Sequence, residues 1–429
     1  MGINTGPGNL DLDLIQGSWT GFFNGVRAAF PLAVLLLWFF HILLRKQRAI
    51  RSFTWPEALW LYYGIVSVIA SVYAHPWFDY AYWGFAFLSA FAATEIYMSE
   101  SSTPEGAGDL NRLNWVLGAL VLASVVWVAR GQLLEQTSMG MSGYGVLNRI
   151  PIVGGMPMVR ASGISRLAAI PAIVAFVLCW NTHGVFRIWW AAIFIPAAYL
   201  VWVMQSRGSL VSSAVALGFV MILMEGKQRW IVILISLVAA IVLLAGFVSD
   251  STLHYLWLYS TRGTQGQQLA SMSGRTRIFD EAWQLIKAAP FIGYGPQADR
   301  RVLTLVRNAQ NGVLYALLCG GFLGGAGFIG GLALSWVLLI RAFRRRHLMT
   351  KSERTTLLQV AGVLVFMTMR SYPENCSAVF SVDLLVQLPA MAYLGELDRS
   401  LSRRRGAFVH RFPVTDDSNI SAVPVAQVR

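Results

Sequence analysis

Residues 24–44 read NGVRAAFPLAVLLLWFFHILL, and the basic cluster Arg45-Lys-Gln-Arg48 follows them directly. This run is mostly apolar and has the length of a membrane-spanning helix, which requires about 20 such residues. Basic residues that flank a span favour the cytoplasmic side of the membrane. The stretch therefore predicts a first transmembrane helix that ends in the cytoplasm and leaves the amino terminus outside.

Similar apolar runs fill most of the chain. Of its 429 residues, 56% are hydrophobic and 13% are charged, and the mean hydropathy is +0.55. This composition excludes an ordinary soluble globular protein. The sequence predicts an all-α fold, a polytopic integral membrane helix bundle of about 11–12 transmembrane helices. We place the spans at roughly 24–44, 56–74, 78–98, 113–129, 165–182, 186–204, 209–225, 230–248, 311–340, 355–371 and 378–396.

The predicted spans form one integral membrane domain over residues 1–400, with a large, partly helical outer loop inserted at 249–310. Residues 401–429 are expected to form a basic, disordered cytoplasmic tail. The start of the chain, Met1–Gly17, lacks the basic segment, short apolar core and cleavage site of a secretory signal peptide, so we expect no removable signal. The run at 311–340 is too long for one upright span, which predicts a tilted helix or one that begins outside the bilayer.

The basic segments agree on one orientation. When the spans are counted from the first, the clusters at 45–51, 341–354 and 399–405 all fall on the cytoplasmic side, as the positive-inside rule requires. The same count places four segments outside: 130–164, 205–209, 249–310 and 370–377. The carboxyl terminus is then cytoplasmic.

Several classes of site are missing from the sequence. The net charge is +13, but much of it lies in short loops where it acts as a topology signal, so nucleic acid is not an expected partner. Cys179 and Cys319 lie in apolar runs and only Cys376 lies in a loop, which argues against a disulfide framework. The chain has no Walker A sequence and no His/Cys cluster with metal-ligand spacing. We expect no cofactor and no metal.

The outer loop is unexpectedly basic. Residues 249–311 carry Arg262, Arg275, Arg277, Lys287, Arg300, Arg301 and Arg307 against few acids, although the positive-inside rule disfavours such charge outside. Guanidinium groups bind phosphate with two parallel hydrogen bonds. The loop therefore predicts an anionic substrate, such as a lipid diphosphate at the membrane surface. The simpler interpretation is that arginines reach out to lipid headgroups, and we favour it for Arg166, Arg300 and Arg301.

The order of several outer motifs resembles the O-antigen ligase/polymerase superfamily. Ser273-Gly-Arg-Thr-Arg277 begins a stretch that ends in Pro290-Phe-Ile-Gly-Tyr-Gly295, and Gln310-Asn-Gly-Val-Leu314 leads to Gly-Phe-Leu-Gly324. The elements Arg160-Ala-Ser-Gly163, Arg207-Gly-Ser209 and Arg370-Ser-Tyr-Pro-Glu374 lie where that superfamily has counterparts. The resemblance covers roughly residues 155–380, and within the superfamily the chain looks most like bacterial exopolysaccharide polymerases of the xanthan type.

The resemblance implies a metal-independent, inverting glycosyltransferase at the periplasmic face of a bacterial inner membrane. Its donor would be an oligosaccharide linked to undecaprenyl diphosphate, and its setting would be exopolysaccharide, capsule or O-antigen (lipopolysaccharide) synthesis. Arg207 and Arg275 would bind the diphosphate, supported by Arg160, Arg277 and Arg370. Arg275 would also act in catalysis, together with Gln310 and Glu374.

The sugars would contact Asn311 and Tyr294, with Tyr255, Trp257 and Tyr259 as further stacking candidates. Expected partners are membrane lipids and the flippase and chain-length or export proteins of the same pathway.

One position departs from the superfamily pattern. Gln310 stands where its members usually have histidine, and a carboxamide cannot take a proton near neutral pH. Three interpretations follow: Gln310 only positions substrate, which we favour; another group such as Glu374, Asp280 or His254 is the base; or the chain is inactive.

Two activities within the superfamily compete, and one outside it. A polymerase joins lipid-linked repeat units, whereas a ligase moves finished O-antigen to the lipid A core. Gln310 departs from the ligase-like pattern, so we favour the polymerase. A transporter of the lipid-linked sugar would instead place polar groups near the bilayer midplane. Glu95 is the main carboxylate inside a predicted span, and it lies near the cytoplasmic end of that span.

Overall fold

The computed structural model describes residues 19–44, 52–74, 77–99, 102–139, 150–152, 156–159, 161–204, 206–224, 275–305 and 308–411. Almost all of these residues are helical. The α-helices are α1 (Trp19–Leu44), α2 (Trp55–Ala70), α3 (Trp77–Met98), α4 (Pro104–Met139), α5 (Ala161–Asn181), α6 (Val185–Val203), α7 (Arg207–Leu223), α8 (Arg275–Ala288), α9 (Ala298–Val302), α10 (Gly312–Arg344), α11 (Lys351–Ser371) and α12 (Val382–Arg411). Short 3-10 turns cover Ser71–Tyr73 and Arg346–Leu348.

The helices confirm the predicted all-α membrane fold. The predicted run at 230–248 lies outside the described residues, and each of the other runs falls mostly on a described helix. Within the described part, four segments are long and apolar enough to cross a membrane: Pro104–Trp127, Ser162–Asn181, Val185–Val203 and Gly312–Arg344. A small antiparallel hairpin of β1 (Ile150–Ile152) and β2 (Met156–Val159) is the described exception to the helical pattern.

Three hydrophobic clusters form the described core, and two of them hold most of its residues. One joins α4, α5, α7, α11 and α12 around residues such as Ile173 and Phe366. The other joins α2, α3, α8, α10 and α12 around Trp60 and Phe328, whose rings stack with centroids 5.0 Å apart. Because α12 contributes to both clusters, it connects the two halves of the bundle.

The surface of the bundle is apolar where lipid would cover it. α5 is mostly buried, whereas α6 exposes large apolar side chains that include Phe186, Ile188 and Ile195. In water such a continuous apolar surface would be unfavourable. A hydrocarbon environment removes that cost, which fits the membrane fold.

Helix α10 is broken, whereas the length of its apolar run predicted a tilted helix or one that begins outside the bilayer. Gly321 has φ +59°, outside the helical region, and the segment 290–295 packs into the break. Tyr294 and Gly295 donate backbone hydrogen bonds to Leu318 and Cys319, and Phe322 donates to Pro290. The Pro-x-x-Gly-x-Gly motif thus supplies hydrogen bonds at the point where the helix ladder is interrupted.

The carboxyl-terminal boundary differs from the prediction. Helix α12 continues through Arg411, so the predicted limit at residue 400 falls inside a helix. Arg404 forms a hydrogen-bonded ion pair with Glu353 of α11, with an N···O distance of 2.8 Å. The predicted disorder of the tail beyond 411 lies outside the described residues.

Candidate functional site

Four helix ends meet at one end of the bundle. Arg207 begins α7, Arg275 begins α8, Asn311 caps the start of α10, and Arg370 lies in the last turn of α11. Contacts between loops join these ends: the Asn311 side chain donates to the carbonyl of Tyr372 at 3.1 Å. A Cβ atom on Gly208 would lie 3.3 Å from the Pro373 ring. Residues far apart in sequence therefore share one surface.

Arg275 and Gln310 are in direct contact. The Arg275 Nε donates to the Gln310 Oε1 at 2.7 Å. Gln310 has the unusual φ of +49°, and its backbone N–H donates to the Asn308 side chain at 2.9 Å. Because the carboxamide oxygen accepts from Nε, it orients the guanidinium without withdrawing its charge. Gln310 is thus a neutral partner for Arg275, which a protonated histidine would not be.

Arg207 and Arg275 lie close enough to repel each other. Arg207 precedes the predicted span at 209–225, and its pKa is lowered by burial and by the positive charge of Arg275. Two guanidinium groups that raise each other's free energy favour an anion between them. The binding of a diphosphate by this pair stays a prediction.

Arg370 is buried and engaged by the protein. Its side chain is fully inaccessible and donates to the Ser209 hydroxyl, to the carbonyl of Ser162 at 3.5 Å, and to Glu374 at 2.7 Å. These contacts connect α11 to the starts of α5 and α7. They favour a supporting role for Arg370 over direct contact with a substrate.

Glu374 lies at the edge of this buried arginine. Its side chain is 36% exposed, and one carboxylate oxygen accepts from Arg370. The ion pair fixes the orientation of the carboxylate while part of it faces outward. The geometry leaves Glu374 reachable by a hydroxyl group at the surface.

The two predicted sugar-contacting residues have structural contacts. The Asn311 Oδ1 accepts from the backbone N–H groups of Val313 and Leu314, which makes it the N-cap of α10. The Tyr294 hydroxyl donates to the carbonyl of Leu285 at 3.1 Å. Both side chains are therefore held in place, and their contacts with sugar stay predictions.

Other predicted residues lie away from this cluster or outside the described chain. Arg277 and Asp280 are exposed on α8, whose buried face carries Ile278, Ala282 and Ile286. Outside the described residues lie Arg160, His254, Tyr255, Trp257 and Tyr259.

The lipid-headgroup interpretation is wrong for Arg166 and Arg301. Arg166 is buried and pairs with Asp383 of α12 at 2.6 Å. Arg301 lies over the Tyr80 ring, 4.0 Å from its centroid, and donates to the carbonyl of Tyr294. Sequence alone assigned both to the surface because Asp383 and Tyr80, which contact them in the fold, lie far away along the chain.

Asp299 is a site residue that the sequence analysis missed. It is only 4% exposed, and its Oδ2 accepts from the Asn375 side chain at 2.9 Å and from the Ala309 backbone at 3.3 Å. Burial raises the pKa of Asp299 to about 6, although these hydrogen bonds and the charge of Arg300 oppose the rise. No motif surrounds Asp299 in the sequence, so only the fold reveals its position.

Within the described part of the chain, no group of three or more His, Cys, Asp or Glu side chains is arranged to hold a metal ion. The charged groups that the structure brings together are the arginines and their partners. Any electrostatic stabilisation by these residues would come from guanidinium groups.

Comparison with known proteins matches part of this chain to one family. The family model described as O-antigen ligase matches residues 191–329, a range that contains Arg207, Arg275 and Gln310. No curated protein matches the chain. One solved chain, from a study described as "Structural coordination of polymerization and crosslinking by a peptidoglycan synthase complex", is 17% identical. It covers 77% of this chain and 97% of its own length, with a TM-score of 0.31.

A likeness with so low a TM-score supports no conclusion about this chain. The family match is different, because its range includes Arg207, Arg275 and the Pro290–Gly295 motif. Members of this family are membrane enzymes that process glycans. Over residues 191–329 the chain is similar to the O-antigen ligase family, which supports the predicted resemblance to the O-antigen ligase/polymerase superfamily.

Proposed function

We propose that this protein is a polymerase that joins oligosaccharide repeat units linked to undecaprenyl diphosphate. The observation that carries this proposal is the placement of Arg207, Arg275 and Gln310 at one end of the bundle, with Arg275 bonded to Gln310 at 2.7 Å. The product would be an exopolysaccharide, capsule or O-antigen, and we favour an exopolysaccharide of the xanthan type. The reaction would be inverting and independent of metal.

Arg207 and Arg275 act on the leaving group in this mechanism. The acceptor hydroxyl attacks the anomeric carbon of the donor sugar, a new C–O glycosidic bond forms, and the bond from that carbon to the diphosphate oxygen breaks. Negative charge then develops on the diphosphate, where the two guanidinium groups stabilise it. Attack from the face opposite the leaving group inverts the anomeric centre.

The acceptor proton requires a base other than Gln310. Glu374 is the described carboxylate next to the arginine cluster, and its partly exposed side chain is oriented by Arg370. We assign Glu374 to receive the proton of the attacking hydroxyl. Gln310 holds Arg275, and Arg370 holds Glu374 and Ser209. Arg160 and Arg277 remain proposed secondary contacts for the diphosphate, and Asn311 and Tyr294 remain proposed sugar contacts.

The distribution of charge along α11 supports a periplasmic site. The helix runs from Lys351 to Ser371, and 21 helical residues span about 30 Å, the thickness of the bilayer core. The predicted cytoplasmic cluster lies at one end of the helix, and Arg370 lies at the other. We propose the bacterial inner membrane as the location, with membrane lipids, a flippase and export proteins as partners.

A ligase is the second candidate, and the description of the matching family favours it. A ligase would use the same donor and the same arginines, but its acceptor would be the lipid A core. Gln310 in place of histidine is the reason that we place the polymerase first. The two differ only in acceptor, so the product distinguishes them.

The test uses purified protein in lipid nanodiscs with lipid-linked repeat units and a metal chelator, with and without lipid A core. We expect a ladder of longer lipid-linked glycans, lost in Arg275→Ala and kept in Lys287→Ala, which removes an exposed cation at the other end of α8. Sugar on the core instead would establish the ligase. No product from any donor, with intact folding, would contradict a transferase and favour a transporter.

A further inference from the structure

The backbone around Gln310 is held on both sides. Gln310 adopts a left-handed conformation with φ +49°, which is unfavourable for a residue other than glycine. Its neighbours Ala309 and Asn311 each donate a backbone N–H to a side chain from another element. An unfavourable conformation persists only where its surroundings impose it.

The two acceptors belong to one connected network. The Ala309 N–H donates to the Asp299 Oδ2 at 3.3 Å, and the Asn311 N–H donates to the Asn375 Oδ1 at 3.1 Å. The Asn375 Nδ2 donates in turn to the same Asp299 oxygen at 2.9 Å. The network thus links α9, the segment before α10 and the loop after α11, with Gln310 between its two anchored amides.

Burial of this network is unfavourable in free energy. Asp299 is 4% exposed, and within the described part of the chain its Oδ1 accepts no hydrogen bond. A buried carboxylate with one oxygen unpaired is expensive. An apolar side chain at position 299 would be buried at a lower cost in free energy. The network therefore indicates a role other than stability.

We propose that Asp299 and Asn375 are positioning residues that clamp the backbone at Gln310 and so direct its carboxamide to Arg275. This inference rests on the proposed function, since it assigns a role in holding the diphosphate-binding arginine. Without the clamp, Gln310 relaxes to an ordinary conformation and its oxygen leaves the Arg275 Nε. A displacement of about 1 Å at such a group is enough to slow a reaction about 100-fold.

Two substitutions of Asp299 distinguish the effect of its hydrogen bonds from the effect of its negative charge. Asp299→Asn keeps an oxygen that can accept from both Ala309 and Asn375, whereas Asp299→Leu is similar in size and removes the acceptor. Asn375→Leu removes the second half of the clamp. The matched control is Asp398→Leu, which deletes an acid that is paired with Arg345 at 3.2 Å outside the site.

Hydrogen–deuterium exchange of the peptide that contains Ala309 and Asn311 tests the clamp without any glycan. We expect faster exchange in Asp299→Leu and Asn375→Leu, and native protection in Asp299→Asn and Asp398→Leu. Unchanged protection in Asp299→Leu would overturn the clamp. This measurement stands even if the protein transfers no sugar, so failure of the proposed function and failure of the clamp are distinguishable.

A double-mutant cycle tests the link to Gln310. We expect Asp299→Leu to lower the transfer rate about 10- to 100-fold in the native background and to add little to Gln310→Ala, because both act through one contact. Asp398→Leu should have the same effect in both backgrounds. Full additivity of Asp299→Leu with Gln310→Ala, or a loss in Asp299→Asn as large as in Asp299→Leu, would overturn the proposal.

Discussion

At the scale of single residues, the structure separates the arginines by what surrounds them. Arg275 is partly exposed and bonded to a neutral carboxamide, whereas Arg370 and Arg166 are buried against carboxylates. An arginine whose charge is already neutralised has little left for a phosphate. Arg275 therefore remains the stronger candidate for the proposed contact with a diphosphate, and Arg370 fits a supporting role.

Geometry as well as charge should matter at Arg275. Arg275→Lys keeps the positive charge but loses the Nε donor to Gln310 and the fork that binds two oxygens. We expect kcat/KM for transfer to fall about 10-fold in Arg275→Lys and about 100-fold or more in Arg275→Ala. Equal rates for the lysine variant and the native protein would show that charge alone suffices.

Gln310→His should introduce a dependence on pH. An imidazole has an unperturbed pKa of about 6.5, and the neighbouring Arg275 charge would lower it. Protonation would place a second cation against Arg275, so transfer by the variant should decline as the pH falls through about 6. The native protein should lack this decline, and rates compared between pH 5 and 8 would show the difference.

The buried Asp299 carboxyl should make stability depend on pH. Its folded pKa of about 6 lies above the ordinary value of 3.8, so the folded state binds the proton more tightly and loses stability as the pH rises from about 4 to about 6. Asp299→Asn has no carboxyl group at this position, so this contribution to the pH dependence of stability is absent. We expect the variant to gain up to about 3 kcal/mol over the native protein above pH 6, with the gap closing near pH 4 in thermal unfolding experiments.

At the scale of elements, the broken helix α10 explains two glycine motifs together. The segment 290–295 enters the break at Gly321 and donates to carbonyls of the first half of α10. The sequence predicted that the run was too long for one upright span, but it did not show where the helix breaks. A glycine alone does not break a helix; the packed segment decides it.

A side chain at Gly321 should destabilise this junction. A Cβ atom there would overlap the carbonyl of Phe291, and φ is +59°, so Gly321→Ala requires both a shift of backbone and an unfavourable conformation. We expect a loss of about 1–3 kcal/mol. The control is Gly218→Ala in α7, where nothing lies within 4 Å of the added atom; it should be neutral or slightly stabilising.

At the scale of the whole molecule, the Arg166–Asp383 pair joins a helix in the middle of the chain to the last described helix. It links α5 to the start of α12 with both side chains nearly inaccessible, and α12 packs in the two larger hydrophobic clusters. Removing one partner would leave an uncompensated buried charge. The pair therefore serves assembly of the bundle next to the site.

Single and double substitutions at this pair should lower the free energy of unfolding by different amounts. Asp383→Asn and Arg166→Met should each destabilise the protein by about 3–5 kcal/mol, and the double variant Arg166→Met/Asp383→Leu should recover much of the loss. Breaking the exposed Arg112–Asp109 pair should cost below about 1 kcal/mol. Thermal unfolding in detergent measures all of them, and equal losses at the two pairs would contradict this account.

The sequence by itself determined that the chain is an all-α membrane protein and where most of its helices lie. Apolar length is a local property, because each segment partitions into a membrane largely on its own side chains. The motif order also identified Arg207, Arg275 and Gln310 as a group. What it could not determine was the partner of each charged residue.

Only the tertiary structure decided those partners. Gln310 meets Arg275 across 35 positions of the chain, and Asp383 meets Arg166 across 217. Such pairs depend on how helices pack and where loops return, which no local pattern encodes. For the same reason Asp299 was missed: its carboxyl group acquires a role only when Ala309 and Asn375 are folded against it.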